Sequence, residues 1–315
     1  MKWQLDREWP ALAALAVLYI FLAVVAPSFY HFENLRDLAL ANVSVLLVAA
    51  GMTLIIVIGQ IDISVGSLFA VTSVAFGVMV KAGLPLSLAP FAAILIGAVL
   101  GSINGGLISF VRAPSIVVTL ATMIVWRETL RWSTGGAWVE DLPANFQWFG
   151  LGQQSGQAVI VSLALLLFAL FWWASENLSA FRSIYATGSD SEAARLAGIP
   201  VRQVLFGVFV LMGALTGVAA VINAVRFSDV PANSGMNLEL KAIAAVVVGG
   251  APITGGRGSL LGTFIGVLLL GSIAPALTFL GVNPYWEKAI QGAIILATVL
   301  FDAVRKHREK RLALA

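Results

Sequence analysis

Long apolar runs alternate along the chain with short polar breaks. The runs fall at about 10–27, 39–58, 65–81, 88–110, 115–132, 157–174, 203–224, 239–250, 259–280 and 286–303. Most approach the roughly 20 residues that an α-helix needs to cross a bilayer, where each segment must satisfy its own backbone polar groups. The pattern predicts an all-α polytopic integral membrane protein of about ten transmembrane helices, the eighth short, in a single domain over 1–315. The breaks carry chain-turning residues: AGLP (82–85), RAPS (112–115), VPANSG (230–235), GGAPITGGRGS (249–259) and GVNP (281–284). The longest polar segments are 133–156 and 175–202. The first run has no small-residue cleavage site behind a short apolar core and reads as a retained span.

Composition supports the bilayer as solvent. Hydrophobic residues make up 59% of the chain and charged residues 11%, whereas a soluble domain carries about 25% charged residues on its surface and elsewhere. The net charge of +3 gives no nucleic-acid footprint, because the basic residues are scattered and bunch only in RKHREKR (305–311). With no cysteine, disulfides and thiolate metal sites are excluded. Lys and Arg favour the cytoplasmic side of a membrane. With the N-terminus inside and ten spans, twelve of the 19 Lys and Arg fall on inside segments, the 305–311 cluster among them. Both termini are therefore expected to be cytoplasmic, which puts 175–202 inside and 133–156 outside.

Enzyme chemistry finds no support. His31 and His307 have no plausible Ser or Asp partner, and there is no HExxH and no G-x-x-x-x-G-K-[ST] phosphate loop. Asp62 reads as the only acidic residue well inside an apolar region, so an aspartyl dyad lacks its second member. No catalytic residue, metal or cofactor is expected. What remains is transport. The pairs Gly97/Gly101, Gly101/Gly105, Gly213/Gly217 and Gly262/Gly266 read as helix-packing positions.

Three polar stretches interrupt the apolar pattern. In GQIDISVGS (59–67), Gly59 ends one helix, Asp62 or Ser64 caps the next, Gly66 allows close packing and Ser67 satisfies a backbone group locally. This predicts a broken helix at the inner ends of the second and third spans, tolerated only where protein or water surrounds it. Asp62 is then a cap, a contact for solute or gating water, or an ion-coupling group. GGAPITGGRGS (249–259) is its counterpart between the eighth and ninth spans: Gly255 and Gly256 permit reversal and Arg257 anchors the loop at the surface. In 182–200, Ser189 or Asp190 caps a short helix with Glu192 in its first turn. Ala193, Ala194, Leu196 and Ala197 give that helix an apolar surface and Gly198–Ile199–Pro200 stops it. Such a helix is either gripped by a partner or a solvated connector.

Other residues leave two readings each. Asn104 and Asn223 make interhelical hydrogen bonds or line a path. Trp126, Trp132, Trp138 and Trp148, around the 133–156 loop, sit at the membrane interface or meet a partner. Arg127, Glu128 and Arg131 form a docking patch or an interfacial ion pair.

EAARLAG (192–198) matches the start of the EAA-xxx-G signature of ATP-binding-cassette importer permeases. GQIDISVGS (59–67), GSINGGLISFVRAPSIVVTLATM (101–123), RSIYATGSDSEAARLAGI (182–199) and LELKAIAAVVVGGAPITGGRGSLLGT (238–263), in that order, resemble the ribose-type sugar permease family. TGGAWVEDLP (134–143) and MNLELKAIAA (236–245) are most similar to its autoinducer-2 and rhamnose members. The resemblance implies a multi-pass subunit of the bacterial inner membrane that performs no covalent chemistry and opens alternately to each side. It implies ATP bound by a separate cytoplasmic ATPase, a periplasmic sugar-binding protein and a second permease copy, identical or a paralogue. It also implies that Glu192, Ala193, Ala194 and Gly198 meet the ATPase. The reading from residues alone keeps an ion-coupled secondary carrier using Asp62 as the alternative.

Overall fold

The computed structural model describes residues 5–297 and 300, with side chains from Glu8 onward. The helices are α1 (Leu5–Val25), α2 (Phe32–Val57), α3 (Val65–Lys81), α4 (Ala89–Ser109), α5 (Ser115–Thr134), α6 (Gln153–Asn177), α7 (Ser179–Ser189), α8 (Ser191–Leu196), α9 (Val201–Ala224), α10 (Leu238–Val248) and α11 (Leu260–Phe279). A further helix, α12, is described over 286–297. Among the described residues there is no strand, only a lone antiparallel bridge between Val139 and Val230. Every expected apolar run contains a helix. Lys2, the Arg7 side chain, the end of the tenth run and the 305–311 cluster lie outside the described residues.

Among the described residues, six helices are long and apolar enough to cross a membrane unaided. Two shorter ones interrupt that simple picture. α3 has 17 residues and α10 only 11, so α10 rises about 16 Å at 1.5 Å per residue, roughly half a span. The segment before α10 covers the other half as irregular chain: Val230 packs on Gly77, and Gly235 packs on Gly66 and Phe69. That is a descent along eight to eleven residues of α3, roughly 12–16 Å.

Two expected boundaries shift. α2 starts at Phe32 rather than near 39, because FENLRD can continue the helix with its polar groups at the bundle end. The 175–202 segment, expected as a loop around one short helix, holds the end of α6, α7 and α8. α7 forms because Phe181, Ile184 and Thr187 recur at three-residue spacing and are all buried, one stripe on the bundle.

α2 is the central post: 83% of its apolar window is buried, against 17% for peripheral α1. α4 and α9 meet through their glycines. A Cβ on Gly97 would stand 2.5 Å from the Gly213 carbonyl oxygen, and one on Gly101 3.0 Å from the Gly213 Cα. Gly262 and Gly266 lie equally close to Gly249 and Ala245 of the α10 region. In lipid no apolar gain drives helices together, so backbone approach and dispersion must hold them. Large apolar side chains point outward instead, among them Ile20, Val24, Leu95, Val117, Leu166 and Leu170. Trp132 and Trp138 are exposed as expected, whereas Trp148 is buried: its N–H donates to the Val225 carbonyl at 2.7 Å and its ring covers Gly156.

Candidate gate and coupling site

Gly59 follows the C-cap of α2, and its φ of +72° suits a residue without a Cβ. Gly59 N–H donates to Ile56 O and Gln60 N–H to Ile55 O, both at 2.9 Å, the paired bonds that close a helix C-terminus. The chain then crosses α5, where Thr119 Oγ1 donates to Ile61 O at 3.4 Å. Asp62 is buried at 1% exposure. Its Oδ1 accepts the Ser64 N–H at 2.9 Å and the Ser64 hydroxyl at 2.6 Å. The carboxylate therefore takes one of the orphan donors at the start of α3. Ser64 makes no side-chain cap of its own, and Ser67 Oγ donates to Ser64 O at 2.7 Å.

Asn104 of α4 joins this turn, donating Nδ2–H to Ser64 Oγ at 2.8 Å. A donor chain thus runs Asn104 to Ser64 to Asp62. Asp62 Oδ2 and Asn104 Oδ1 are buried without a hydrogen-bond partner among the described residues. Stripping the acceptor from two buried donors costs about 1–3 kcal/mol, so Asp62→Ala is expected to destabilise by that order. Asp62→Asn keeps an acceptor at the same place and should cost clearly less. Thermal unfolding of both variants in one detergent reads the order; equal losses would remove Asp62 from the start of α3.

A second junction lies against the same helix. Gly66 is covered by the Gly235 carbonyl and the Glu239 carboxylate, and Glu239 Oε2 is buried without a hydrogen-bond partner among the described residues. Arg127 Nη1 donates to Ser234 O at 3.1 Å and interacts electrostatically with Glu239. The expectation that Asp62 is the only interior acid is therefore corrected: the irregular descent before α10 carries Glu239 inward with it. Arg127 likewise turns inward, while Glu128 and Arg131 remain an exposed pair at 3.2 Å.

The 249–259 loop closes on the first junction. Gly256 N–H donates to Val57 O at 2.7 Å, and a Cβ on Gly255 would stand 2.8 Å from the Gly59 Cα. Arg257 is exposed on this loop. α7 docks on both partners. Gly188 lies so close to the Val57 carbonyl that no side chain fits between them. Tyr185 donates to Gly258 O at 2.8 Å and Ser189 Oγ to Gly256 O at 3.3 Å. Burial, with Glu176 adding to it, pushes the Tyr185 phenol up to about 12, so it stays a donor at neutral pH.

α8 follows directly. Asp190, rather than Ser189, caps it, accepting the N–H groups of Glu192 at 2.9 Å and Ala193 at 3.0 Å. Gly198, at φ +84°, ends it: Gly198 N–H donates to Arg195 O and Ile199 N–H to Ala194 O, both at 3.0 Å. Glu192 accepts from Arg195 Nε at 3.0 Å, which holds its carboxyl below the ordinary range. Glu192, Ala193 and Gly198 are exposed, and Leu196 is 75% exposed. Ala194 faces inward at 5% exposure and anchors the helix.

The fold thus brings Gly59, Asp62, Ser64, Gly66 and Asn104 together and sets Gly255 and Gly256 beside them. It does not bring in Asn223, which sits at the far end of α9, roughly 33 Å of helix from the α8 end. Tyr185, Gly188, Glu239 and Gly235 were not singled out from sequence. The spacing Phe181–Ile184–Tyr185–Gly188 was a usable signal for the inward face of α7.

The chain is similar to known proteins along most of its length. The family described as "Branched-chain amino acid transport system / permease component" matches residues 34–299. The autoinducer 2 import system permease protein LsrC of Salmonella typhi is 32% identical over 299 residues, covering 95% of this chain and 86% of that protein. The proteins of the same name from Yersinia pseudotuberculosis and Escherichia coli (strain K12 / DH10B) are also 32% identical over 299 residues, covering 95% of this chain and 85% and 87% of theirs.

Proposed function

The chain belongs to the permease family matched over residues 34–299, and from that premise we propose that it is the membrane subunit of an importer driven by a separate cytoplasmic ATPase. The solute is a small sugar-like molecule, in keeping with the autoinducer 2 import named for its relatives. A periplasmic binding protein delivers it, and a second permease copy completes the path. The α8 end of the bundle faces the cytoplasm together with both termini, as the distribution of Lys and Arg favours.

One observation carries this reading: an unbroken line of contact from α8 through Gly188 and Ser189 to the 249–259 loop, Val57 and the turn at Asp62. α8 is short, capped at both ends and exposed on one face, so a partner that holds it holds a rigid handle. The handle ends at the turn after α2, where the transmembrane backbone is broken, and on the loop that follows α10. Breaks of this kind let half-helices change direction without unfolding a whole span. Motion of α8 therefore reaches α3 and α10 directly, and with them the Asp62–Ser64–Asn104 chain and the Arg127–Glu239 junction. The residues proposed to meet the ATPase are Glu192, Ala193 and Leu196, with Gly198 shaping the stop and Ala194 supporting from below.

The natural chain has no cysteine, so Leu196→Cys creates a unique attachment point. A thiol crosslinker on this variant is expected to join it to a cassette ATPase in native membranes. Adding Asp190→Ala, which removes a cap worth about 0.5–2 kcal/mol, should weaken the crosslink several-fold. If no ATPase is joined, and uptake follows a proton or sodium gradient and needs Asp62, the secondary-carrier alternative takes over.

A further inference from the structure

The outward side of α4 carries a continuous apolar band that ends in a cation. Leu95, Val99, Ile103 and Leu107 recur every fourth residue and are all exposed, on the side of the helix away from the glycines that meet α9. The band rises about 18 Å at 1.5 Å per residue, close to the roughly 15 Å of hydrocarbon in one leaflet. Phe110 and Val111, 55% and 69% exposed, continue it past the helix end. The next residue is Arg112, also exposed.

Two features set Arg112 apart. Its backbone is left-handed, at φ +64°, the conformation in which a helix ordinarily ends on glycine. It also shares its corner with a second guanidinium. α4 and α9 run antiparallel, so that Gly97 approaches Gly213, Gly101 approaches Phe209 and Gly105 approaches Phe206. The rings of Phe110 and Phe206 lie 5.6 Å apart. Arg202 is one turn before Phe206 on the same side of α9 and is exposed, so it stands at the α8 end of the bundle with Arg112. Neither guanidinium has an ion-pair or hydrogen-bond partner among the described residues.

Guanidiniums at the end of an exposed apolar band select an amphiphile with an anionic head. The arginine fork matches phosphate oxygens, and its aliphatic stem lies along apolar surface while the charge reaches the headgroups. A soluble acidic partner would leave the band uncovered, and a free phosphate would use the arginines alone. We infer that the α4–α9 corner binds an anionic phospholipid, with its phosphate at Arg112 and Arg202 and an acyl chain along Leu107, Ile103 and Val99. This rests on the chain lying in a bilayer and not on the importer reading.

The test uses the full chain in neutral detergent, offered equal amounts of phosphatidylglycerol and phosphatidylcholine with identical acyl chains. Native mass spectrometry counts the lipid that each molecule retains. The natural chain should prefer phosphatidylglycerol. Arg112→Gly and Arg202→Gln should each lower that preference about fivefold, the effect of one cation at an anionic headgroup. Arg112→Gly also relieves the left-handed backbone, so without lipid it should melt no lower than the natural chain, and its lost preference is then not a folding defect. Arg182→Gln, an exposed arginine of α7 at the same end of the bundle, controls for general charge attraction and should leave the preference unchanged. Three results would each overturn the site: no preference in the natural chain, an equal fall in the Arg182 variant, or displacement of the lipid by inorganic phosphate at equal concentration. The second would mean surface charge alone, and the third an anion site with no use for the band. None of these outcomes touches the crosslinking result at Leu196, so the two readings fail separately.

Discussion

Gly188→Val is expected to abolish driven uptake while leaving the protein inserted and folded. A Cβ at this position would overlap the Val57 carbonyl oxygen, with Val57 C at 2.8 Å and Ile58 Cα at 3.1 Å. All three are backbone atoms of the central helix and cannot step aside. α7 must lift instead, and with it go the contacts of Tyr185 to Gly258 and Ser189 to Gly256. These contacts join the handle to the broken segments and do nothing to hold α4 to α9 or α10 to α11. Overpacking of this kind costs about 1–3 kcal/mol, and each 1.4 kcal/mol lost from a coupling contact is about a factor of ten. Uptake into proteoliposomes holding the whole importer should fall at least about tenfold on that scale. The melting temperature should stay near that of a Gly207→Val control, whose site has open space. Normal uptake by the Gly188 variant would end the proposal that force passes through this contact. A matching collapse in melting temperature would make Gly188 a folding residue instead.

Gly213→Leu should show the opposite pattern, with little folded protein recovered at all. Gly213 is pressed against the Gly97 carbonyl, with Gly101 Cα at 2.9 Å and Gly101 N at 3.0 Å. α4 and α9 touch by backbone along this whole seam, and four extra carbons would drive them apart. In a bilayer the separated faces gain nothing from being hidden from water, so no compensating apolar burial follows. The loss should reach or exceed the about 1–3 kcal/mol usual for overpacked sites, a large part of a typical margin of about 5–15 kcal/mol. Yield of monodisperse protein after detergent extraction is the measurement. A Leu variant that purifies and melts like the natural chain would mean that the seam is looser than its backbone distances imply.

Gly188 and Gly213 also illustrate how unevenly the fold and site could be read beforehand. Gly213 belongs to a four-residue repeat of small residues, so its packing role was legible, though not that its partner is α4. Gly188 continues the inward spacing of Phe181, Ile184 and Tyr185, but its role depends on a carbonyl 131 positions earlier in the chain. Asp62 was legible as the start of a helix because both its partners lie within two residues. Its link to Asn104 was not, since that bond spans 40 residues.

Local order is what the sequence determined by itself. Apolar runs set the helices, glycines set their ends at 59 and 198, Ser189 or Asp190 set the start of α8, and the shortage of charge set the solvent. Each follows from interactions within a turn or two, or from composition alone, and needs no knowledge of what lies across the bundle. The tertiary structure alone decided that α10 begins deep, because an irregular stretch has no periodicity to reveal its path. With that came Glu239 facing Arg127, α7 seated on Val57, Trp148 turned inward, and Asn223 left far from the turn. These placements depend on which backbones approach closely enough to exclude a side chain, and only the packed bundle fixes those distances.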